Sequence, residues 1–354
     1  MTTRRAWFPR RGEWAAIAGS TLLFAIAFPP FPLLLPAFLC LVPFAVALAR
    51  RADEAGSVRE AARIGFWFGM LGYACNLYWI AIALRIFTNL AIVGYIAALF
   101  VLAPVVAVAA MALFTLRRAT KLPLALLLPI VWVASEVVLN YMSDLSFPWL
   151  PLGLALSRTP LLAQAADLSG VRGLSFLIAA VNGLLADAWL LRGQRSAIAK
   201  RLAASLAIVA ALAGYGEWRM KTTRLVPLAP VAIVQPNIPQ DEKWQAQNQS
   251  RIIGTLDDIT RKRLAERDAK LVLWPEAALP GFIAEHPEWK RDLTGRARGA
   301  HTPILFGTLD IVWHGPGDYD YYNAAMLADS TGTIGSQPPY RKSFLVPIVE
   351  RVPF

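Results

Sequence analysis

The sequence predicts a polytopic α-helical membrane domain followed by a partial α/β domain, and three observations carry that prediction. Of 354 residues, 56% are hydrophobic and only 17% charged, against roughly 25% charged in soluble domains. Apolar runs of a length to cross a bilayer, about 20 residues each, fill the first two thirds, and mean hydropathy is +0.46. From Leu225 onward the composition becomes that of an ordinary folded domain with alternating strand and helix patterns. A single soluble domain, a disordered chain and a fibrous repeat are excluded.

Seven apolar segments can be marked: Trp14 to Phe28, Leu33 to Leu48, Ile64 to Leu84, Leu90 to Phe114, Leu122 to Tyr141, Leu174 to Leu191 and Leu202 to Trp218. They predict a membrane domain over 1–224 with about seven transmembrane helices. Phe28-Pro29-Pro30-Phe31-Pro32 must break the first pair, because proline lacks an amide donor and clashes with the preceding turn. A tight helical hairpin is expected there. No small-residue cleavage site follows the first segment, which argues against a signal peptide.

Net charge is +11, and its location decides its meaning. Residues 1–224 hold 21 Lys/Arg and 9 Asp/Glu, whereas residues 225–354 hold 14 and 15. A nucleic-acid footprint is a basic face on a folded domain, so no nucleic-acid partner is expected. Arg4, Arg5, Arg10 and Arg11 precede segment one. Arg50, Arg51, Arg59 and Arg63 follow segment two, Arg117, Arg118 and Lys121 follow four, and Arg192, Arg195, Lys200 and Arg201 follow six. The positive-inside rule then puts the N-terminus in the cytoplasm, and an odd number of spans puts the second domain on the outer face.

Three membrane features have plain readings. Gly65 and Gly69 form a G-x-x-x-G face, a signature of close helix packing. Asp187 is expected in interfacial solvent, and Glu136 with an interhelical partner, since ionisable groups inside a membrane usually face the protein interior. Tyr78, Trp79, Phe147 and Trp149 are read as interfacial anchors or as a lipid entry path.

Along 225–354, strands are expected at Val231 to Val234, Leu271 to Trp274, Pro303 to Val312 and Asn323 to Ala328. Helices are expected at Gln247 to Lys270 and Pro287 to Ala300, and a turn at Asp329 to Gly332. Helices covering a mixed sheet are the layer arrangement this pattern favours.

The sequence has no G-x-S-x-G, P-loop, H-E-x-x-H or C-x-x-C motif, so no metal or cofactor is expected. Cys40 and Cys75 both lie in apolar runs and read as buried, inert thiols. His286, His301 and His314 lack ligand spacing. In Leu271-Val272-Leu273-Trp274-Pro275-Glu276 an apolar strand delivers a carboxylate to its end. Glu276 is either a general base, tuned by partial burial, or a solvated acid in a turn. Lys342, in Tyr340-Arg341-Lys342-Ser343-Phe344-Leu345-Val346-Pro347, is either an oxyanion stabiliser or an exposed loop lysine. Glu350 follows and either joins the site or faces solvent.

W-P-E-x-x-x-P, then Y-x-K-x-x-L-V-P and E-x-V-P, resemble the nitrilase superfamily. Joined to the polytopic half, and with Val234-Gln235-Pro236-Asn237 through Gln240, Trp244, and Phe147-Pro148-Trp149-Leu150 with Gly153, the chain resembles the apolipoprotein N-acyltransferases, enzymes of the Gram-negative envelope. The resemblance implies an incomplete nitrilase-like αββα domain over 225–354. It implies a cysteine thiolate that takes the sn-1 acyl chain of a phospholipid donor and passes it to the amine of a diacylglyceryl-cysteine apolipoprotein. Glu276 is then the base, Lys342 the oxyanion stabiliser, Glu350 an additional carboxylate and Trp244 a pocket wall. A monomer in the bacterial inner membrane, with the second domain periplasmic, is expected. In the family the nucleophilic cysteine follows the lysine by a few tens of residues. This sequence holds none there, so a C-terminally truncated and inactive chain with open strand edges is expected. A membrane-tethered nitrilase-type amidohydrolase and a non-catalytic membrane scaffold are the alternatives.

Overall fold

The structure, a computed structural model, describes residues 7–31, 33–54, 56–85 and 89–345. Two compact units meet in sequence at Arg224 and Leu225.

The first unit is helical. Its helices are α1 (Arg11–Ile26), α2 (Val42–Asp53), α3 (Val58–Leu84), α4 (Ala91–Thr120), α5 (Leu124–Asn140), the single turn α6 (Pro160–Ala163), α7 (Ala166–Leu190) and α8 (Arg195–Thr222). A 3-10 turn, Leu35–Phe38, leads into α2. Among the described residues five helices are long and apolar enough to cross a membrane: Leu35–Asp53, α3, α4, α7 and α8. The first and fifth apolar segments fold as the shorter helices α1, of 16 residues, and α5, of 17.

Local chemistry sets the ends. Ser57 caps α3, its hydroxyl accepting from the Glu60 amide at 3.3 Å while its own amide donates to the Glu60 carboxylate at 3.1 Å, a reciprocal capping box. Lys121, in the left-handed region at φ 58°, ends α4 ahead of Pro123. Asp187 was expected in interfacial solvent, but it is buried. Its two carboxylate oxygens accept the Leu124 and Ala125 amides at 3.0 and 3.1 Å, because the first amides of a helix have no partner within it.

Close packing of α3 on α4 bears out the glycine face. A Cβ on Gly65 would fall 2.5 Å from Ala110 Cβ, and one on Gly69 3.1 Å from Ala103 Cα. Cys40 is buried as expected, whereas Cys75 is exposed. Buried Glu136 accepts hydrogen bonds from the Leu152 amide at 2.7 Å and the Trp132 indole at 3.0 Å. Next in the chain, the Gly153 amide donates to Ser175 of α7 at 2.8 Å. The loop after α5 is thus tied to two helices. Trp79 stacks on Trp149 with ring centroids 5.2 Å apart, and Phe147 packs on Trp149 at 4.8 Å.

The second unit is a five-stranded mixed sheet with helices on one face. In chain order it comprises β1 (Val231–Ile233), the single turn α9 (Gln240–Lys243), α10 (Gln249–Glu266), β2 (Leu271–Leu273), α11 (Pro287–Ala300), β3 (Ile304–Gly315), β4 (Asp318–Ala328) and β5 (Tyr340–Arg341). The strands lie in that order, β1 to β3 parallel and β3 to β5 antiparallel. Alternation of side chains along a strand sends Ala232, Val234, Val272, Ile304 and Phe306 into a core with Ile252 and Leu256 of α10 and Trp289 and Leu293 of α11.

Two features go beyond the sequence expectation. The β3–β4 hairpin extends through residues 313–322, turning at Gly317 with φ 79°. Its exposed end is paired by Trp313 and Tyr319, whose rings lie 5.0 Å apart. β5, only two residues long, forms one sheet edge and β1 the other.

Candidate active site

Strand β2 carries the site because it is flanked on both sides. Val272 is fully buried. Trp274 extends the ladder, its amide donating to Leu305 O at 2.9 Å, and its indole donates to Thr260 of α10 at 3.0 Å. The chain then turns through Pro275, Glu276 and Ala277. Ala277 has φ 47°, a left-handed conformation that disfavours any residue with a Cβ and is characteristic of strained functional turns.

Gly307 of β3 makes room for this turn. A Cβ there would lie 2.5 Å from the Ala277 nitrogen, 2.7 Å from Pro275 O and 2.8 Å from Glu276 Cα. Beyond the turn the Leu279 amide donates to Gly307 O at 3.1 Å, the Thr308 hydroxyl to Gly281 O at 3.1 Å and the Leu309 amide to Gly281 O at 3.2 Å. Segment 274–281 is therefore held along β3, and the Glu276 backbone with it.

The second charged residue arrives from the far edge. β5 pairs with β4 through Ala324 with Arg341 and Ala325 with Tyr340, and the ladder continues when the Lys342 amide donates to Asn323 O at 2.8 Å. Arg341 fixes this edge: its Nε lies 2.8 Å from Asp310 Oδ2, and its guanidinium sits 4.5 Å over the Tyr322 ring.

These elements bring Glu276 and Lys342 together. Glu276 Oε1 accepts from Lys342 Nζ at 3.1 Å and from Asn323 Nδ2 at 2.5 Å. Lys243, at the end of α9, donates its ammonium to the Glu276 backbone carbonyl at 2.9 Å. Burial holds the Lys243 amine below the usual lysine range, with the Glu276 charge opposing that shift. Glu276 itself is exposed. Its side chain is 64% exposed, against 30% for Lys342.

Trp244 directly follows Lys243 and is 43% exposed, its ring 5.9 Å from the Lys243 ammonium. A cavity of about 190 Å³ opens between the Gln235 to Ile238 loop, Lys243 and the Pro275 to Ala278 turn. Glu350 lies outside the described residues. Asn323, Lys243 and Gly307 were not picked out from sequence. The one available signal was for Lys243, charged and adjacent to the tryptophan already selected.

A carboxylate, an ammonium and an amide donor on one oxygen form an acid–base pair at the end of a rigid strand. Such a pair can take a proton from a nucleophile and face a developing negative charge. The mixed sheet that carries the pair is consistent with a partial nitrilase-like domain. Comparison with known proteins goes further. Residues 20–184 match the model of the apolipoprotein N-acyltransferase N-terminal domain. The chain is 30% identical over 351 residues to the apolipoprotein N-acyltransferase of Geobacter metallireducens, covering 98% of this chain and 66% of that relative. It is 28% identical over 348 residues to that of Methylococcus capsulatus, covering 96% and 64%. It is also 28% identical over 357 residues to that of Chlorobaculum tepidum, covering 95% and 64%. Over nearly its whole length the chain is similar to apolipoprotein N-acyltransferases, and it spans about two thirds of the length of these curated relatives.

Proposed function

We propose that this protein takes part in lipoprotein N-acylation, moving an acyl chain from a phospholipid to the N-terminal amine of a diacylglyceryl-cysteine lipoprotein. The single observation that supports this reading is the contact of Lys342 Nζ with Glu276 Oε1 at 3.1 Å, on a chain whose relatives are named for that reaction.

In this reading the reaction runs in two halves. A thiol loses its proton to Glu276 and its sulfur attacks the ester carbonyl of the donor. The Lys342 ammonium faces the oxyanion, which collapses to a thioester as the lysophospholipid alkoxide leaves with a proton. The lipoprotein amine then attacks the thioester, giving up a proton to the same carboxylate and releasing the thiol. Splitting one acyl transfer into two steps lowers each barrier. Neither Cys40 nor Cys75 is assigned as the thiol, since both belong to the helical unit. Trp244 and Glu350 are assigned to substrate contact.

For topology, α1 and α5 join the five long helices to give seven crossings. With the basic loops cytoplasmic, the sheet unit stands on the outer face of the inner membrane. The protein acts as a monomer in this reading.

The test uses membranes containing the product of the full reading frame that encodes this chain. They receive a phospholipid labelled in its sn-1 acyl chain and a diacylglyceryl-cysteinyl peptide. A labelled triacylated peptide, with a labelled thioester on the protein when the peptide is withheld, is the expected result. Labelled free fatty acid with or without peptide indicates an amidohydrolase-type enzyme, and no label transfer at all indicates a binding protein.

A further inference from the structure

The helical unit has a second concave site, at the end where its basic residues collect. There α2 and α4 finish, and α1, α3 and α5 begin. Asp53 of α2 lies 3.2 Å from Arg117 and 3.6 Å from Lys121 of the α4 terminus. Glu13 of α1 pairs with Arg63 of α3 at 2.7 Å, and Asp187 of α7 holds the first amides of α5. A cavity of about 480 Å³ opens at this end between α1, α2 and Trp189.

Its chemistry is divided along its length. Ala16, Pro43, Val46 and Ala47 give it apolar walls, and at 1.5 Å per residue the stretch of α2 from Val42 to Arg51 runs about 13 Å. Charge is confined to the mouth. Glu13 is buried and takes two guanidiniums, Arg51 at 3.1 Å and Arg63 at 2.7 Å, so that cluster carries one positive charge in excess. Glu54 offsets it weakly, being 63% exposed and 3.9 Å from Arg51. Arg50 is exposed, and its guanidinium has neither a hydrogen bond nor an ion pair among the described residues. Trp189, 53% exposed, forms the remaining wall, with the Arg192 guanidinium 4.2 Å over its ring.

An apolar slot that ends in guanidiniums beside an exposed tryptophan matches one kind of molecule, an amphiphile with an acidic head. We propose that this cavity binds an anionic glycerophospholipid of the leaflet at the basic end of the bundle, its phosphodiester between Arg50 and Arg51 and one acyl chain between α1 and α2. Guanidinium forks match phosphate oxygens in pairs, basic pockets between membrane helices select acidic headgroups, and tryptophan settles at the headgroup level. A zwitterionic lipid brings its own cation against two guanidiniums, and a soluble phosphate leaves the apolar slot unfilled. The site uses no residue of the sheet unit and does not rest on the acyl-transfer reading.

Native mass spectrometry of the protein in micelles containing equal amounts of phosphatidylglycerol and phosphatidylcholine tests it. One retained phosphatidylglycerol per chain is expected, preferred by about fivefold or more. Arg50→Gln, at an exposed and unpaired position, abolishes the preference without lowering the melting temperature. Ala16→Leu, which narrows the slot, reduces retention of both lipids. Phosphatidylglycerol raises the melting temperature of the unaltered protein, and glycerol 3-phosphate does not. Equal retention of the two lipids, a preference that survives Arg50→Gln, or equal stabilisation by glycerol 3-phosphate overturns the proposal.

Discussion

Lys342 Nζ lies 3.1 Å from Glu276 Oε1 although 66 residues separate them in the chain. The contact exists because β2 and β5 reach the same end of one sheet from opposite sides of the β3–β4 hairpin. If this pair moves the proton and steadies the oxyanion, Glu276→Gln and Lys342→Met each lower acyl transfer by about 10²-fold to 10⁴-fold. The double variant is then little worse than the poorer single one, since groups that act as a unit are not additive. Asn323→Ala removes a hydrogen bond but no charge and costs less than either. Steady-state rates in membranes of the full-reading-frame product check this, and additive losses exclude a shared role.

Gly307 tests whether the position of Glu276 matters as well as its chemistry. A methyl at this site meets the Ala277 nitrogen at 2.5 Å and Glu276 Cα at 2.8 Å, and both are backbone atoms held by β3. Gly307→Ala is therefore expected to destabilise the sheet unit by about 1–3 kcal/mol, the usual cost of overpacking. It also lowers activity while Glu276 and Lys342 are both present. Thermal unfolding paired with the transfer assay reads the two effects. A variant with unchanged melting and unchanged rate refutes the positional argument.

Much of this architecture was legible in the sequence. Long apolar runs must become helices in a bilayer, where a backbone without internal hydrogen bonds is too costly, and each of the seven segments is helical. Strand β2 and helix α11 were readable from hydrophobic period and from a proline at the first helical position. What could not be read was long-range. Asn323 looks like any strand residue between Tyr322 and Ala324 until the fold sets it against Glu276. Lys243 needs α9 to bring its ammonium to the Glu276 carbonyl. Residues 313–322 gave no clear alternation, because both faces of that hairpin end are exposed. Asp187 looked solvent-facing only because the sequence does not reveal which helix begins beside it.

Asp187 is expected to stabilise the helical unit through the amides of Leu124 and Ala125. Asp187→Ala leaves two helix-initiating amides without an acceptor in a buried place, at a cost of about 0.5–2 kcal/mol. Asp187→Asn keeps an oxygen acceptor for one of them and falls between. Melting temperatures of the three proteins in the same detergent rank them, and an alanine variant as stable as the parent shows that the cap contributes nothing.

Glu136 anchors the loop after α5 by accepting the Leu152 amide at 2.7 Å. Glu136→Gln preserves an acceptor of similar size, so folding is retained. Glu136→Leu orphans a buried amide and the Trp132 indole, each costing about 1–3 kcal/mol. Limited proteolysis between Met142 and Leu152 is expected to speed up in the leucine variant and not in the glutamine one. Equal cleavage of the two shows that the carboxylate does not hold this loop.

Asp329 gives the sheet unit a pH dependence of defined sign. Its Oδ1 accepts the Thr331 hydroxyl at 2.6 Å and the amides of Thr331 and Thr333 at 2.9 Å. The Thr331 hydroxyl, with these amides, holds the carboxyl down to about 2. An unfolded aspartate titrates near about 3.9, so between those values the unfolded chain binds more protons than the folded one. The stabilising contribution is then fully present above about pH 4 and fades as pH falls through about 2. Asp329→Asn removes it, since a neutral amide accepts these donors less strongly and does not titrate there. Unfolding of parent and variant between pH 2 and 6 should give curves separated by a constant amount at the upper end that converge at the lower end. Curves that stay parallel throughout show that the turn does not depend on the ionised carboxylate.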